Sequence, residues 1–199
     1  MTGWDRRRVL LVLTAASPGV LVAMIGVFHP AHLTDATAQT WLGMHVALLP
    51  LFPLLALAPW LVARHTGAVA GWVALALGYV FATFYTGLDL LAGAAAGALQ
   101  LAGSPDRNIM FNLGNDLAVV AVWTHLGLAV LVSLLVAIRA GRRHLTLSVA
   151  GGVLVAGASW SFLDSHIYWP RGVITMIVLA AGWAVLAAVV PLRPAARTP

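Results

Sequence analysis

Seven histidines and six aspartates carry most of the acid–base and metal-ligating capacity of this chain, which contains no Cys, no Lys and no Glu. The missing cysteines exclude disulfides, thiolate metal sites and iron–sulfur ligation, and the missing lysines exclude Schiff-base chemistry. What remains is imidazole and carboxylate, the donor mixture that suits Zn²⁺, Cu²⁺ or Fe²⁺. One concentration of such groups is His29-Pro30-Ala31-His32, followed by Thr34, Asp35 and His45. It competes with a plainer reading, a loop closed by Thr34 or Asp35 at a helix N-cap. The densest polar run is Asp164-Ser165-His166, continuing through Tyr168 and Trp169 to Arg171. Asp164 and His166 have the chemistry of an acid–base pair there, and an interfacial turn tied by Asp164 and Arg171 is the alternative. A third run, Arg107, Asn108, Asn112, Asn115 and Asp116, is either a polar approach for a substrate or a set of helix caps in which Asp116 complements the helix dipole.

The elements that position these groups follow from composition. Hydrophobic residues make up 61% of the 199 and charged residues 9%, with a mean hydropathy of +0.95. A soluble domain carries roughly 25% charged residues, so this is read as a membrane protein. Its basic pI then reports topology rather than nucleic-acid binding. Apolar stretches long enough to span the ~30 Å of hydrocarbon occupy 9–28, 41–63, 67–92, 113–138, 145–163 and 173–190. The expected fold is an all-α polytopic membrane helix bundle of about six transmembrane helices, a single integral membrane domain over 1–199. Residues 93–103 are either a helical extension of the third span or a re-entrant piece. The first span lacks a small-x-small cleavage site and reads as an uncleaved helix. Pro50, Pro53 and Pro59 predict a bent second span, and Trp41, Trp60, Trp123, Trp160, Trp169 and Trp183 read as interfacial anchors.

Arginine sets the orientation. With both termini cytoplasmic, the inner face holds Arg6, Arg7, Arg8, Arg64, Arg139, Arg142, Arg143, Arg193 and Arg197, and the outer face only Arg107 and Arg171. Five aspartates and two arginines leave the outer face at −3; nine arginines and Asp5 bring the inner face to +8, recovering the net +5. The expected location is the cytoplasmic membrane, and the exclusive use of Arg and Asp suggests a bacterium of high GC content.

At ~1.5 Å per residue, His29, His45, Asp89, Asp116 and Asp164 all fall ~30 Å above the inner arginines, with His125 at ~21 Å. Ionisable groups gathered at one depth form a functional-site hypothesis by default. The leading expectation is a metal-binding membrane enzyme or metalloprotein with an outward-facing His/Asp bay, acting on an amphiphilic or periplasmic small molecule. Candidate metal ligands are His29, His45, Asp89, His125, Asp164 and His166. Asp89, Asp164 and His166 are the candidate catalytic groups, and Asp116 and Arg171 would hold the substrate or the ligands. A b-type haem between His45 and His125, the two histidines within spans, is a lesser possibility. So are a cation or proton transporter, a structural subunit without chemistry, and a homo-oligomer. Helical phase already separates Asp116 from His125, nine residues apart on opposite sides of one helix. Patterns of known intramembrane enzymes are missing: Gly157-Ala158-Ser159-Trp160 departs from the GxSG of intramembrane serine proteases, and Phe28 stands where a copper monooxygenase pattern through His32 and His45 needs Asp.

Overall fold

The computed structural model describes residues 5–192, and every regular element among them is helical. Arg193 and Arg197, assigned to the arginine-rich end, lie outside the described residues. The helices are α1 (Arg6–Gly26), α2 (Ala38–Leu48), α3 (Leu57–Thr66), α4 (Ala68–Leu88), α5 (Ala96–Leu101), α6 (Arg107–Ala140), α7 (Leu145–Ser165) and α8 (Arg171–Val189). A 3₁₀ turn, Phe52–Ala56, joins α2 to α3, and a π-helical turn, Asp89–Ala95, joins α4 to α5. Five helices among the described residues are long and apolar enough to cross a membrane, or six if the α2/α3 pair, bent by 43°, is one broken span.

The bend lies where the prolines require it. Pro53 opens the 3₁₀ turn and Pro59 sits in the first turn of α3, positions at which a missing N–H costs little. Residues 93–101 continue the helix that began at Ala68, so the tail after the third span is helical extension. The fourth span starts six residues earlier than expected, at Arg107, which puts Asp116 in its third turn instead of its first. The dipole argument for Asp116 therefore fails, and the residue is exposed. Nor do Thr34 or Asp35 cap a helix: α2 begins after Thr37, whose hydroxyl donates to the His32 carbonyl at 2.8 Å, while Asp35 accepts from the Gln100 side chain.

Side chains sort by solvent in the sense a bilayer demands. Phe28, Val69 and Ile138 are 78, 77 and 75% exposed, an arrangement water would penalise and hydrocarbon does not. The interior is apolar, with Val22, Leu48, Phe52, Phe81, Leu128, Met176 and Leu186 in one buried cluster. Trp183 is buried in this cluster and Trp41 is buried against His29, His45 and Phe111, so neither is an exposed interfacial anchor, a correction to the reading by position alone. Antiparallel α1 and α8 are pinned at their ends: the Arg8 guanidinium donates to the carbonyls of Ala187, Ala188 and Val190 at 3.1, 2.9 and 2.6 Å. A cation there complements the negative end of the α8 dipole and satisfies its orphan carbonyls.

Helix α8 packs along both α1 and α7 through small residues. A Cβ at Gly182 would lie 2.6 Å from Val155 Cγ2 and 2.9 Å from the Val155 backbone nitrogen. Backbone cannot yield as a side chain can. Gly182→Ala is expected to lower stability by about 1–3 kcal/mol, read as a lower unfolding temperature in detergent. An unchanged midpoint would show that α7 and α8 are not so tightly apposed.

Candidate metal centre

Three histidines from separate parts of the chain meet at the end of the bundle opposite the arginine-rich one. His29 follows α1, His45 lies on α2, and His166 terminates α7. One ligand nitrogen from each lies within 4.8 Å of the others. The ring centroids of His29 and His45 are 4.8 Å apart, and those of His29 and His45 lie 5.4 and 5.6 Å from His166.

Each ring is held by its Nδ1. His29 Nδ1 is 2.7 Å from the Pro30 carbonyl and His45 Nδ1 is 2.7 Å from the Trp41 carbonyl. A carbonyl only accepts, so both Nδ1 atoms carry the proton and both Nε2 atoms present a lone pair when neutral. His166 Nδ1 contacts the Tyr85 hydroxyl at 3.2 Å, and its Nε2 is buried with no hydrogen-bond partner. Burial lowers the pKa of His29 and, further, of His166, so these imidazoles stay neutral, the form that ligates a metal. His166 also stands at φ 34°, ψ −141°, a left-handed conformation unusual for a residue with a Cβ. Strain of that kind costs of order 1–3 kcal/mol and persists where the surrounding structure holds it.

The two Nε2 atoms of His29 and His45 are 3.4 Å apart. Two lone pairs at that distance make no hydrogen bond. Two imidazole nitrogens bound at 2.0–2.1 Å to one tetrahedral ion would be roughly 3.3 Å apart. Beside them lies Asp89, which opens the π-helical turn and is 0% exposed. Its Oδ1 is 3.8 Å from His45 Nε2, and neither carboxylate oxygen has a hydrogen-bond partner. A buried charged carboxylate without partners costs several kcal/mol, a cost that a bound cation or a proton would relieve.

Local structure explains the convergence. The π-helical turn adds a residue to the helical repeat and brings Asp89, Ala92 and Gly93 against α2. The Ala92 carbonyl accepts from Trp41 Nε1 at 3.2 Å, and a Cβ on Gly93 would overlap the His45 ring. His45, His166 and Asp89, though not His29, border a cavity of about 510 Å³ that is also lined by Tyr85 and by residues of α6 and α7.

Other candidates lie elsewhere. His125 is buried one layer deeper, with Nδ1 2.8 Å from Ser159 Oγ and its ring against Phe81 and Trp183. Phe81 and Tyr85 stand between it and His166. His125 is therefore not among the clustered histidines, and it does not line the cavity that His45 borders. Asp164 forms an exposed two-bond pair with Arg171, at 2.6 and 3.0 Å, while His166 turns to Tyr85; the acid–base pair expected between Asp164 and His166 does not form. Asp164 still lines the cavity, but Asp116 does not; its neighbour Asn115 does. The roles of Tyr85 and the Pro30 and Trp41 carbonyls were missed. For Tyr85 a signal existed, since it lies one helical turn before Asp89. No known family model, curated protein or solved structure matches the chain.

Proposed function

We propose that the chain is a small bacterial inner-membrane metalloenzyme in which His29, His45, His166 and Asp89 hold one Zn²⁺, Cu²⁺ or Fe²⁺ ion. The observation that carries this reading is the convergence of three imidazoles beside an unpartnered buried carboxylate, the Nε2 atoms of His29 and His45 3.4 Å apart with Nδ1 fixed by carbonyls. Three nitrogens and one oxygen suit any of the three metals, and orienting hydrogen bonds on the far ring nitrogens are the usual support of metal-bound histidine. In this reading the termini lie in the cytoplasm and the site faces the outer side, which the arginine asymmetry supports.

A divalent ion there would supply Lewis acidity toward water or a substrate oxygen. The protein's part is to exclude bulk water, fix the donors and offer a cavity of about 510 Å³, within the size range of small-molecule sites. A transport reading is less well supported. Beneath the cluster the interior is closed by buried Phe52, Tyr85 and Phe81, with no polar path toward the arginine-rich end among the described residues.

The test is metal analysis with an absorption spectrum on protein purified in mild detergent without chelator. A stoichiometric metal is expected; absence of binding after titration with all three ions would sink the proposal. Tyr85→Phe should keep the fold and lower metal affinity about 10–100-fold, the usual cost of losing a group that orients a ligand. Unaltered affinity in competition with a chelator would remove Tyr85 from the site.

A further inference from the structure

The cavity does not end at the ligands, and where it reaches the surface decides what can enter. We propose that the substrate is a long-chain amphiphile taken from the outer leaflet, its oxygen-bearing head reaching the metal site and its chain trailing between α6 and α7. This rests on the metalloenzyme reading above and names the substrate class of that site.

The wall opposite Asp89 is built from Phe111, Asn115, Ala118 and Val119 of α6, and Phe162 and Leu163 of α7. Val119 and Leu163 line the cavity and are also 50 and 36% exposed on the outside of the bundle. The cavity therefore emerges between the two helices. Nearer the arginine-rich end by about one turn, Trp123 and Trp160 cross the same gap edge-to-face with centroids 5.8 Å apart, both exposed. They close the gap below and form an apolar sill for a chain.

Depth places this mouth at a boundary. Val119 is 20 residues from Arg139 and Leu163 is 18 from Leu145, ~27–30 Å along their helices and so at the edge of the hydrocarbon. Further out by about one turn on α6 is Asn115, and directly beyond Leu163 comes Asp164, paired with Arg171. The mouth is thus apolar toward the acyl chains and polar toward the headgroups. A molecule with the same division fits it, and an anionic or neutral oxygen donor suits a site whose cation is only partly neutralised by one Asp89 carboxylate.

The chain's lack of cysteine makes the test direct. Ala118→Cys, inside the cavity, and Asn112→Cys, exposed on the same helix, are placed in metal-loaded protein in phosphatidylcholine nanodiscs. Each is reacted with dodecylmaleimide and with a charged trimethylammonium thiosulfonate. Relative to position 112, position 118 should favour the alkyl reagent by at least about tenfold, the discrimination given by two buried methylenes. Adding Val119→Trp in the mouth should slow the alkyl reagent at 118. If the charged reagent reacts as readily at 118 as at 112, or Val119→Trp leaves the alkyl rate unchanged, entry from the bilayer is overturned. Metal content is measured on the same samples: retained metal with lost preference sinks this inference alone, whereas absent metal sinks the reading beneath it.

Discussion

His45→Ala is expected to abolish stoichiometric metal binding, the largest single effect on the site. His45 stands between two of the other proposed ligands: its Nε2 faces both His29 Nε2 at 3.4 Å and Asp89 Oδ1 at 3.8 Å. Removing it deletes a donor and leaves the two remaining histidines and the carboxylate without a common centre. The loss in affinity should exceed the ~10–100-fold typical of an orienting partner. The alanine variant also leaves a void beside Gly93, while the Trp41 carbonyl keeps the helical bond from the backbone N–H of residue 45. His45→Gln fills most of that void. Loss of metal in both variants, with unfolding still cooperative in the second, assigns the effect to ligation. Retention of a full metal complement in folded His45→Gln would move the centre away from these residues. Asp164→Asn is the contrasting control. Its exposed pair with Arg171 is worth at most about 1 kcal/mol, and metal content should not change.

The membrane-spanning architecture could be read early because its cause is local. A run of ~20 apolar residues has one physical solution in a bilayer, a helix, and five such helices, with the bent pair at Pro50 and Pro53, lie where hydropathy and proline predicted them. Convergence was harder. Counting residues from the arginines put His29, His45, Asp89 and Asp164 at one depth, but depth is one coordinate of three. Azimuth decided which met. His166 and Asp164 are two residues apart, yet the positive φ of His166 turns its ring inward to Tyr85 while Asp164 stays outside with Arg171. Asp89 depends on a π-helical turn whose sequence, DLLAGAA, carries no pattern distinct from an ordinary apolar helix. Trp41 and Trp183 show the same limit: tryptophan near a span end reads as an anchor, and only packing reveals that both are core.

Asp89→Asn should move metal affinity and the stability of the metal-free protein in opposite directions. Without a cation, the native site sets a carboxylate with no hydrogen-bond partner against the lone pair of His45 Nε2. The charged carboxylate then meets acceptor with acceptor, a cost of burial relieved only where it takes up a proton. An asparagine keeps the shape, removes the ionisable group and offers an N–H to the same His45 nitrogen. The metal-free variant should therefore unfold at a higher temperature than the metal-free wild type, by an amount reflecting about 1–3 kcal/mol for one buried group satisfied. With metal the order reverses. The wild type gains the stabilisation that mass action gives any ligand bound only by the folded state, and the variant gains less because a neutral amide is a poorer ligand for a divalent cation. Thermal melts of both proteins, each with and without added metal, give the four numbers needed. A structural aspartate predicts destabilisation in every condition. A ligand predicts the crossing, because a group retained for the cation it binds is a burden to the fold until that cation arrives.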